Sequence, residues 1–487
     1  MPTLLTKSKY VIGLQCPKYL WMMFNSPGSI PGVDEATQFL FDQGHEVGNL
    51  AKKWFPQGLD ISSSDFMRNI RQTQELLKRR LPLFEAGFIA GNLFSRIDIL
   101  NPIGADEWDI IEVKSSTEIK DEHYHDVSFQ KHCCEKSGLK IRNCFLMHIN
   151  NEYIKHGNID PKSILKQEKI TDEIIEAAKG IQERIKLMFN IINSKEMPKQ
   201  GISKQCNEPY ECPLKEQCWK FLPESNVFHL YRSGKNSFEL FNKGIVSIAD
   251  IPDEMKLTDK QELQRECEKN SKIHIHKEKI RHFLKTLIPP LYYMDFETFQ
   301  FAIPKYDGTR PYQQIPFQFS VHMIKEDKSK EYLSFLAEGS SDPRPKFAEA
   351  LKKAIAEKGT IIVYNQAFEI ARLKELEQAF PENKEWIENA LTRIIDLLVP
   401  FRDFAYYNPK QQGSCSIKQV LPAITGKSYE GMNISSGDNA SLSFIKIAFH
   451  RMDEDKRKMI RKDLLDYCGL DTEGMVWIVE ELKKLAE

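Results

Sequence analysis

Leu291-Tyr292-Tyr293-Met294-Asp295-Phe296-Glu297-Thr298-Phe299 is an apolar run that carries two acids two residues apart. Successive side chains of a strand point to opposite faces, so Asp295 and Glu297 leave the same face. Holding both carboxylates there costs several kcal/mol each unless cations neutralise them, which argues for a metal site. A pair of solvated edge carboxylates is the plainer alternative.

Around this run the pattern alternates between α and β. Strands are predicted near 315–324, 331–336 and 360–364, and helices near 345–357 and 367–379. In Val363-Tyr364-Asn365-Gln366-Ala367-Phe368-Glu369 a strand runs into a helix at Asn365, which places Glu369 near the first helical turn. In Tyr467-Cys468-Gly469-Leu470-Asp471 the two outer residues are four apart, so on a helix they share a face. Tyr467 also has the simpler reading of an aromatic on a packed helix face.

The order Asp-x-Glu, Asn-x-x-Phe-acid, Tyr-x-x-x-Asp over residues 288–487 resembles the DnaQ-like 3′–5′ exonucleases of the DEDD superfamily, nearest their tyrosine subgroup. The resemblance implies an RNase H-like fold in which Asp295, Glu297, Glu369 and Asp471 hold two divalent ions, Mg²⁺ or Mn²⁺, and Tyr467 orients the attacking water. Two such ions can clamp the attacking and leaving oxygens of a phosphodiester, and hard oxygen ligands suit them. The third acidic position holds Glu369 where the family usually has Asp. Asp396, in Arg393-Ile394-Ile395-Asp396, matches another acid often present there.

The first part of the chain carries a second constellation. Helical patterns at 33–56 and 65–80 precede short apolar runs over 82–114, and these read as a small sheet. A helix near 119–137, a strand at 142–149 and a long amphipathic helix at 171–193 follow. Asp98 closes one apolar run, and Glu112 and Lys114 sit two apart on the next, hence on one strand face. Carboxylates can bind a metal while an ammonium steadies phosphate charge, so the trio has a hydrolytic use, although an isolated Asp and Glu-x-Lys also arises by chance.

Ten cysteines without a signal segment fit reduced thiols or metal ligands better than disulfides. Cys206, Cys212 and Cys218 recur at even spacing and Cys16 stands near the start, whereas the other six read as buried thiols. Gly13-Leu14-Gln15-Cys16-Pro17, Asp98, Glu112-Val113-Lys114, Gln130 and the cysteine triplet together resemble RecB-type and AddB-type PD-(D/E)XK nucleases with an iron–sulfur cluster, a group that includes CRISPR-associated adaptation nucleases. Over residues 1–222 the resemblance implies Asp98 and Glu112 as metal ligands, Lys114 as the catalytic lysine, Gln130 on the following helix, and a 4Fe–4S cluster on the four thiolates. Structural zinc on the same thiolates is the alternative. His45 and Glu46 stand nearest the position of the family's metal-binding histidine, Glu85 is a further acidic candidate, and Cys134 stands where the family has tyrosine after Gln130.

A chain of 487 residues suggests about three units. They are predicted as a nuclease domain at 1–222, a helical connector at 223–287 with a faint helix-hairpin-helix character, and an exonuclease domain at 288–487. The 68 basic and 69 acidic residues leave a formal charge of −1, so a nucleic-acid partner rests on the sites and not on a basic coat. No run is long and apolar enough for a membrane span, and a cytoplasmic protein is expected. The resulting expectation is a metal-dependent DNA nuclease with two hydrolytic centres acting on single strands or ends in genome maintenance or defence. The alternatives are a nucleic-acid-binding or assembly module with one active domain, and a 3′–5′ exoribonuclease acting on RNA. With no Gly-x-x-x-x-Gly-Lys-Ser/Thr phosphate loop, a helicase motor, like a defence-system protein, would be a separate partner.

Overall fold

The computed structural model describes residues 3–61 and 65–487, and the chain forms two units, Met1–Lys220 with Phe301–Gln313, and Phe221–Gln300 with Gln314–Glu487. Both are mixed α/β. In the first, strands β1 (Leu5–Thr6), β2 (Leu59–Asp60), β3 (Leu83–Ala90), β4 (Leu93–Ile103), β5 (Glu107–Val113), β6 (Lys140–Ile149) and β7 (Leu165–Lys169) build one sheet of order β2-β3-β4-β5-β6-β7, with β1 parallel to β4. β3, β4 and β5 form an antiparallel meander, and β6 then runs parallel to β5. A parallel return needs a long crossover, which helix α5 (Asp121–Lys136) supplies. Helices α1 (Lys7–Gln15), α2 (Pro17–Asn25), α3 (Glu35–Lys52) and α4 (Phe66–Leu76) precede it.

The two cores flanking β5 explain why its centre, Ile110-Ile111, holds two apolar residues in succession. Ile110 is buried with Tyr10, Phe129 and Leu146 on one face, and Ile111 with Val47, Ile99 and Met147 on the other. A strand covered on both faces has no polar side to alternate with. Ile110→Ala would cost about 2–5 kcal/mol through lost transfer energy and the cavity left behind.

The expected helix over 171–193 is two helices, Thr171–Ala177 and Ile181–Ile192, because Gly180 between them takes a φ of +70° that a continuing helix does not allow. Residues 301–313, expected inside the exonuclease domain, belong to the first unit. There Ala302 is buried, its N–H donates to Gln43, and the Tyr312 hydroxyl donates to the Ser115 carbonyl. Non-local packing of this kind leaves no periodic trace in sequence.

In the second unit β8 (His274–Ile275) pairs with β14 (Tyr406–Tyr407), and the main sheet holds β9 (Leu291–Phe299), β10 (Ile315–Ile324), β11 (Lys330–Leu336), β12 (Thr360–Val363) and β13 (Ile394–Asp396). Its order is β11-β10-β9-β12-β13; the first three strands are antiparallel, and β12 and β13 run parallel to β9. Leu291 and Tyr293 face a core shared with Val476 and Val479 of the C-terminal helix, while Tyr292, Met294 and Phe296 pack on the opposite side. Period 2 therefore directs Asp295 and Glu297 toward that helix.

The helices that matter for the site are α6 (Ala367–Ala379), α7 (Ile417–Thr425), α8 (Gly437–Phe449) and α9 (Glu454–Ala486). Residues 223–287, expected as a separate connector, lie within this unit. Ile280 and Phe283 of its last helix enter the same core as β9. Among the described residues no helix is long and apolar enough to cross a membrane.

Candidate functional site

Helix α9 is locked onto the sheet by buried polar bonds. Gln318 Nε2 donates to the Leu464 carbonyl at 2.7 Å, and the Thr472 hydroxyl lies 2.8 Å from both Ser320 Oγ and His322 Nδ1. This register sets Tyr467, Cys468 and Asp471 against the acids of β9. Asp295, Glu297 and Cys468 offer ligand atoms within 4.8 Å of one another, and Cys468 Sγ is 3.8 Å from Asp295 Oδ2.

Glu369 enters from the first turn of α6. It is 1% exposed, and its Oε2 has no hydrogen-bond partner among the described residues. The turn before it is unusual. Asn365 adopts a φ of +74°, and its N–H donates to Asp396 Oδ1 at 2.9 Å, which also accepts the Leu398 N–H at 2.9 Å. Asp396 thus braces the turn that delivers Glu369.

Electrostatics unite these acids. Burial raises Asp295 well above the usual carboxylate range, reinforced by Asp471, Glu297 and Glu369. Glu297 is raised by burial and then by Asp471, with Lys418 opposing. Burial pushes Glu369 up to about 8, its backbone hydrogen bond and Arg372 opposing and Asp396 assisting. Asp471 rises to about 6 through burial, against hydrogen bonds from Tyr429 and Tyr467 and the Lys418 charge. The Tyr467 hydroxyl is raised far above its ordinary value by burial and then by Asp471, Glu297 and Asp295, so it stays protonated.

Asp295 and Glu297 of β9 offer close ligand atoms, and Asp471 of α9 and Glu369 of α6 act on Asp295 through their charge, a set of hard oxygen donors of the kind divalent cations take. Three contributors escaped the sequence reading. Tyr429 donates to Asp471 Oδ1, Lys418 Nζ lies 5.6 Å from the Tyr467 ring centre, and Cys468 sits among the acids. Tyr429 and Lys418 lie in no motif spacing, whereas Cys468 stands inside the Tyr-x-x-x-Asp segment and read there as a core thiol.

In the first unit Asp98, Glu112, Lys114 and Gln130 also converge. Asp98 Oδ2 accepts the Val113 N–H at 2.9 Å, which ties β4 to the end of β5. Lys114 Nζ donates to Glu112 Oε1 at 2.8 Å and to Asp126 Oδ2 at 2.6 Å, and Gln130 Nε2 donates to Glu112 Oε2 at 2.7 Å. Asp126 and Gln130 are four apart on α5, one turn of a helix face, a spacing that could have found Asp126.

Lys7, at the start of α1, was not foreseen. Its Nζ lies 2.8 Å from Glu112 Oε1, 3.1 Å from Oε2 and 3.6 Å from Asp98 Oδ1. Burial would lower both lysines, yet Asp98 and Glu112 for Lys7, and Asp126 and Glu112 for Lys114, outweigh it and keep them charged. Three carboxylates against two ammonium groups leave one negative charge, so the site is already largely balanced.

His45 and Glu46 are exposed on α3, with Glu46 3.6 Å from Lys305 Nζ, and Glu85 Oε1 is 3.9 Å from Lys52 Nζ. None of these contacts belongs to the Asp98 cluster. Cys134 is fully buried in the core.

The four expected thiols do meet. Cys16, Cys206, Cys212 and Cys218 line one cavity. Cys16 both ends α1 and caps α2, its Sγ accepting the Tyr19 N–H at 3.4 Å with Pro17 next in the chain. Burial raises the Cys16 thiol and pushes Cys212 up to about 11, each with the other thiols adding to the rise. Tetrahedral zinc would draw the sulfurs to roughly 3.8 Å of each other, given Zn–S bonds near 2.3 Å.

Residues 292–416 match the family described as a domain of unknown function, DUF2779. That span holds Asp295, Glu297, Glu369 and Asp396 and ends before Tyr429, Tyr467 and Asp471. Over 244 residues, 45% of this chain, the sequence is 26% identical to an uncharacterized protein of Ureaplasma parvum serovar 3, of which the match covers 35%. Over 208 residues, 38% of this chain, it is 30% identical to an uncharacterized protein of Mycoplasma pneumoniae, with 31% of that protein covered. The chain thus spans about a third of the length of these curated relatives.

Proposed function

We propose that the chain is a divalent-metal-dependent nuclease with two phosphodiester-hydrolysing centres, acting on DNA as single strands or ends, with RNA as the alternative substrate. The close pair Asp295 and Glu297, electrostatically coupled to Asp471 and Glu369 from two further elements, carries this reading. The order β11-β10-β9-β12-β13, antiparallel then parallel, supports an RNase H-like, DnaQ-like second unit. The Asp98, Glu112, Lys114 and Gln130 grouping supports a PD-(D/E)XK-like first unit, with a 4Fe–4S cluster on Cys16, Cys206, Cys212 and Cys218.

At the second centre Asp295, Glu297, Glu369 and Asp471 are the residues that would hold Mg²⁺ or Mn²⁺. Such ions, when bound, activate water and stabilise the charge that develops on phosphate. Tyr467, held protonated and hydrogen-bonded to Asp471, offers its hydroxyl oxygen as an acceptor that would orient a water, and does not act as a base. Tyr429 anchors Asp471 through Oδ1. At the first centre Asp98 and Glu112 would hold the metal. Lys114, kept charged between Glu112 and Asp126, is placed to offset negative charge on a phosphate.

Cleavage of 5′- and 3′-labelled single-stranded and duplex DNA, and of RNA, in Mn²⁺ tests the proposal with wild type, Asp98→Ala, Asp295→Ala and the double variant. Each single variant is expected to remove a distinct product ladder. No loss in either would overturn it.

A further inference from the structure

The ammonium of Lys7 spans Glu112 and Asp98, the two carboxylates assigned to the metal of the first centre. It reaches both Glu112 oxygens, at 2.8 and 3.1 Å, and Asp98 Oδ1 at 3.6 Å. A divalent ion bridging the same two side chains needs the same oxygens, so ion and ammonium cannot both keep these contacts. We propose that Lys7 is the resident counter-cation of this centre and that a divalent ion enters by exchange with its side chain; the inference rests on the metal-binding role given above to Asp98 and Glu112.

The surroundings suit an exchange confined to the side chain. The Lys7 backbone is pinned on both sides. Thr6 before it pairs with Phe94 of β4 and caps α1 through the Lys9 N–H. At the other end of the same helix Gln15 Nε2 donates to the Gln205 and Tyr210 carbonyls at 2.9 and 2.7 Å, beside the cysteine cavity. The Glu112 side chain is only 2% exposed, whereas those of Lys7 and Asp98 are 21% and 25% exposed. Solvent therefore reaches the cluster at Lys7 and Asp98, as it also does at Lys114, and a long flexible lysine stem can swing toward it. Lys114 does not serve as the exchanging group, since Asp126 holds it from the other side at 2.6 Å.

With neither Lys7 nor a metal ion, Lys114 would be left as the one ammonium facing Asp98, Glu112 and Asp126, an under-compensated arrangement around a buried carboxylate that is disfavoured. Lys7 thus protects the fold when the metal is absent and opposes metal when it is present. This makes it a positioning and competing residue and not a catalytic one.

Mn²⁺ titration followed by electron paramagnetic resonance tests this on the full chain carrying Asp295→Asn and Asp471→Asn, which silence the second centre. Lys7→Met and the milder Lys7→Gln are expected to bind Mn²⁺ roughly tenfold more tightly than Lys7, the order set by removing a unit charge a few ångströms from a divalent ion even at water-like screening. Lys7→Arg should gain nothing, and Asp98→Ala should abolish the gain. In chelator the two neutral variants should melt at lower temperature than the parent and recover when Mn²⁺ is added. Equal Mn²⁺ affinity in the parent, Lys7→Met and Lys7→Gln overturns the exchange while leaving the metal centre intact. If none of them binds Mn²⁺ through Asp98, both the exchange and the first metal centre are overturned.

Discussion

The hydroxyl of Tyr429 donates to Oδ1 of Asp471, joining a loop to a helix across 42 positions of chain. This bond pulls Asp471 toward its ionised form against the effect of burial. Tyr429→Phe is therefore expected to raise Asp471 further, moving the acidic limb of Mn²⁺-dependent cleavage by the second centre to higher pH. It should also cost about 1–3 kcal/mol of stability, the usual range for an abandoned buried acceptor. A pH–rate profile on the Asp98→Ala background measures the first effect; an unmoved limb would count against the role given to Tyr429.

The raised carboxylates make stability depend on pH in a definite sense. Glu369 and Asp471, at about 8 and about 6, bind protons more tightly folded than unfolded. Their contribution is complete below the ordinary carboxylate value and is lost as pH rises through about 6 and then about 8. Melting temperature in chelator should fall between these limits, and added Mn²⁺, which requires the ionised forms, should flatten or reverse the slope. A flat profile in chelator would contradict the buried, cation-demanding cluster.

Glu369→Gln separates stability from function at the same position. The amide removes a buried charge whose Oε2 lacks a partner among the described residues. The metal-free protein is expected to gain on the order of 1–3 kcal/mol at pH 8, because the penalty of ionising the buried side chain disappears. Mn²⁺ stoichiometry and cleavage by the second centre should both drop. Denaturant unfolding in chelator together with metal counting reads both arms.

Cys16→Ala should lose bound iron and lower the melting temperature of the first unit, since Cys16 is at once one of the four thiols and the junction of α1 with α2. Iron and zinc content by elemental analysis, taken alongside a thermal melt, checks this. Retention of iron at an unchanged melting temperature would remove the cluster assignment.

The motifs were legible where chemistry follows short-range periodicity. Two-residue spacing put Asp295 with Glu297 and Glu112 with Lys114, four-residue spacing put Tyr467 above Asp471, and the predicted strand at 315–324 and helix at 367–379 match β10 and α6 in their bounds. The long helix over 171–193 failed at one left-handed glycine, a backbone choice that an apolar stripe does not reveal.

By itself the sequence determined which residues share a strand or helix face, because that depends on backbone geometry over a turn or a pleat. Only the tertiary structure decided which faces meet. It brought Lys7 across 105 positions to Glu112, set Tyr429 on Asp471, placed Cys468 among the acids and drew residues 301–313 into the first unit. Those contacts arise from closing whole sheets and cores at once, where burial of many apolar side chains selects the arrangement and charged groups must then find partners within it.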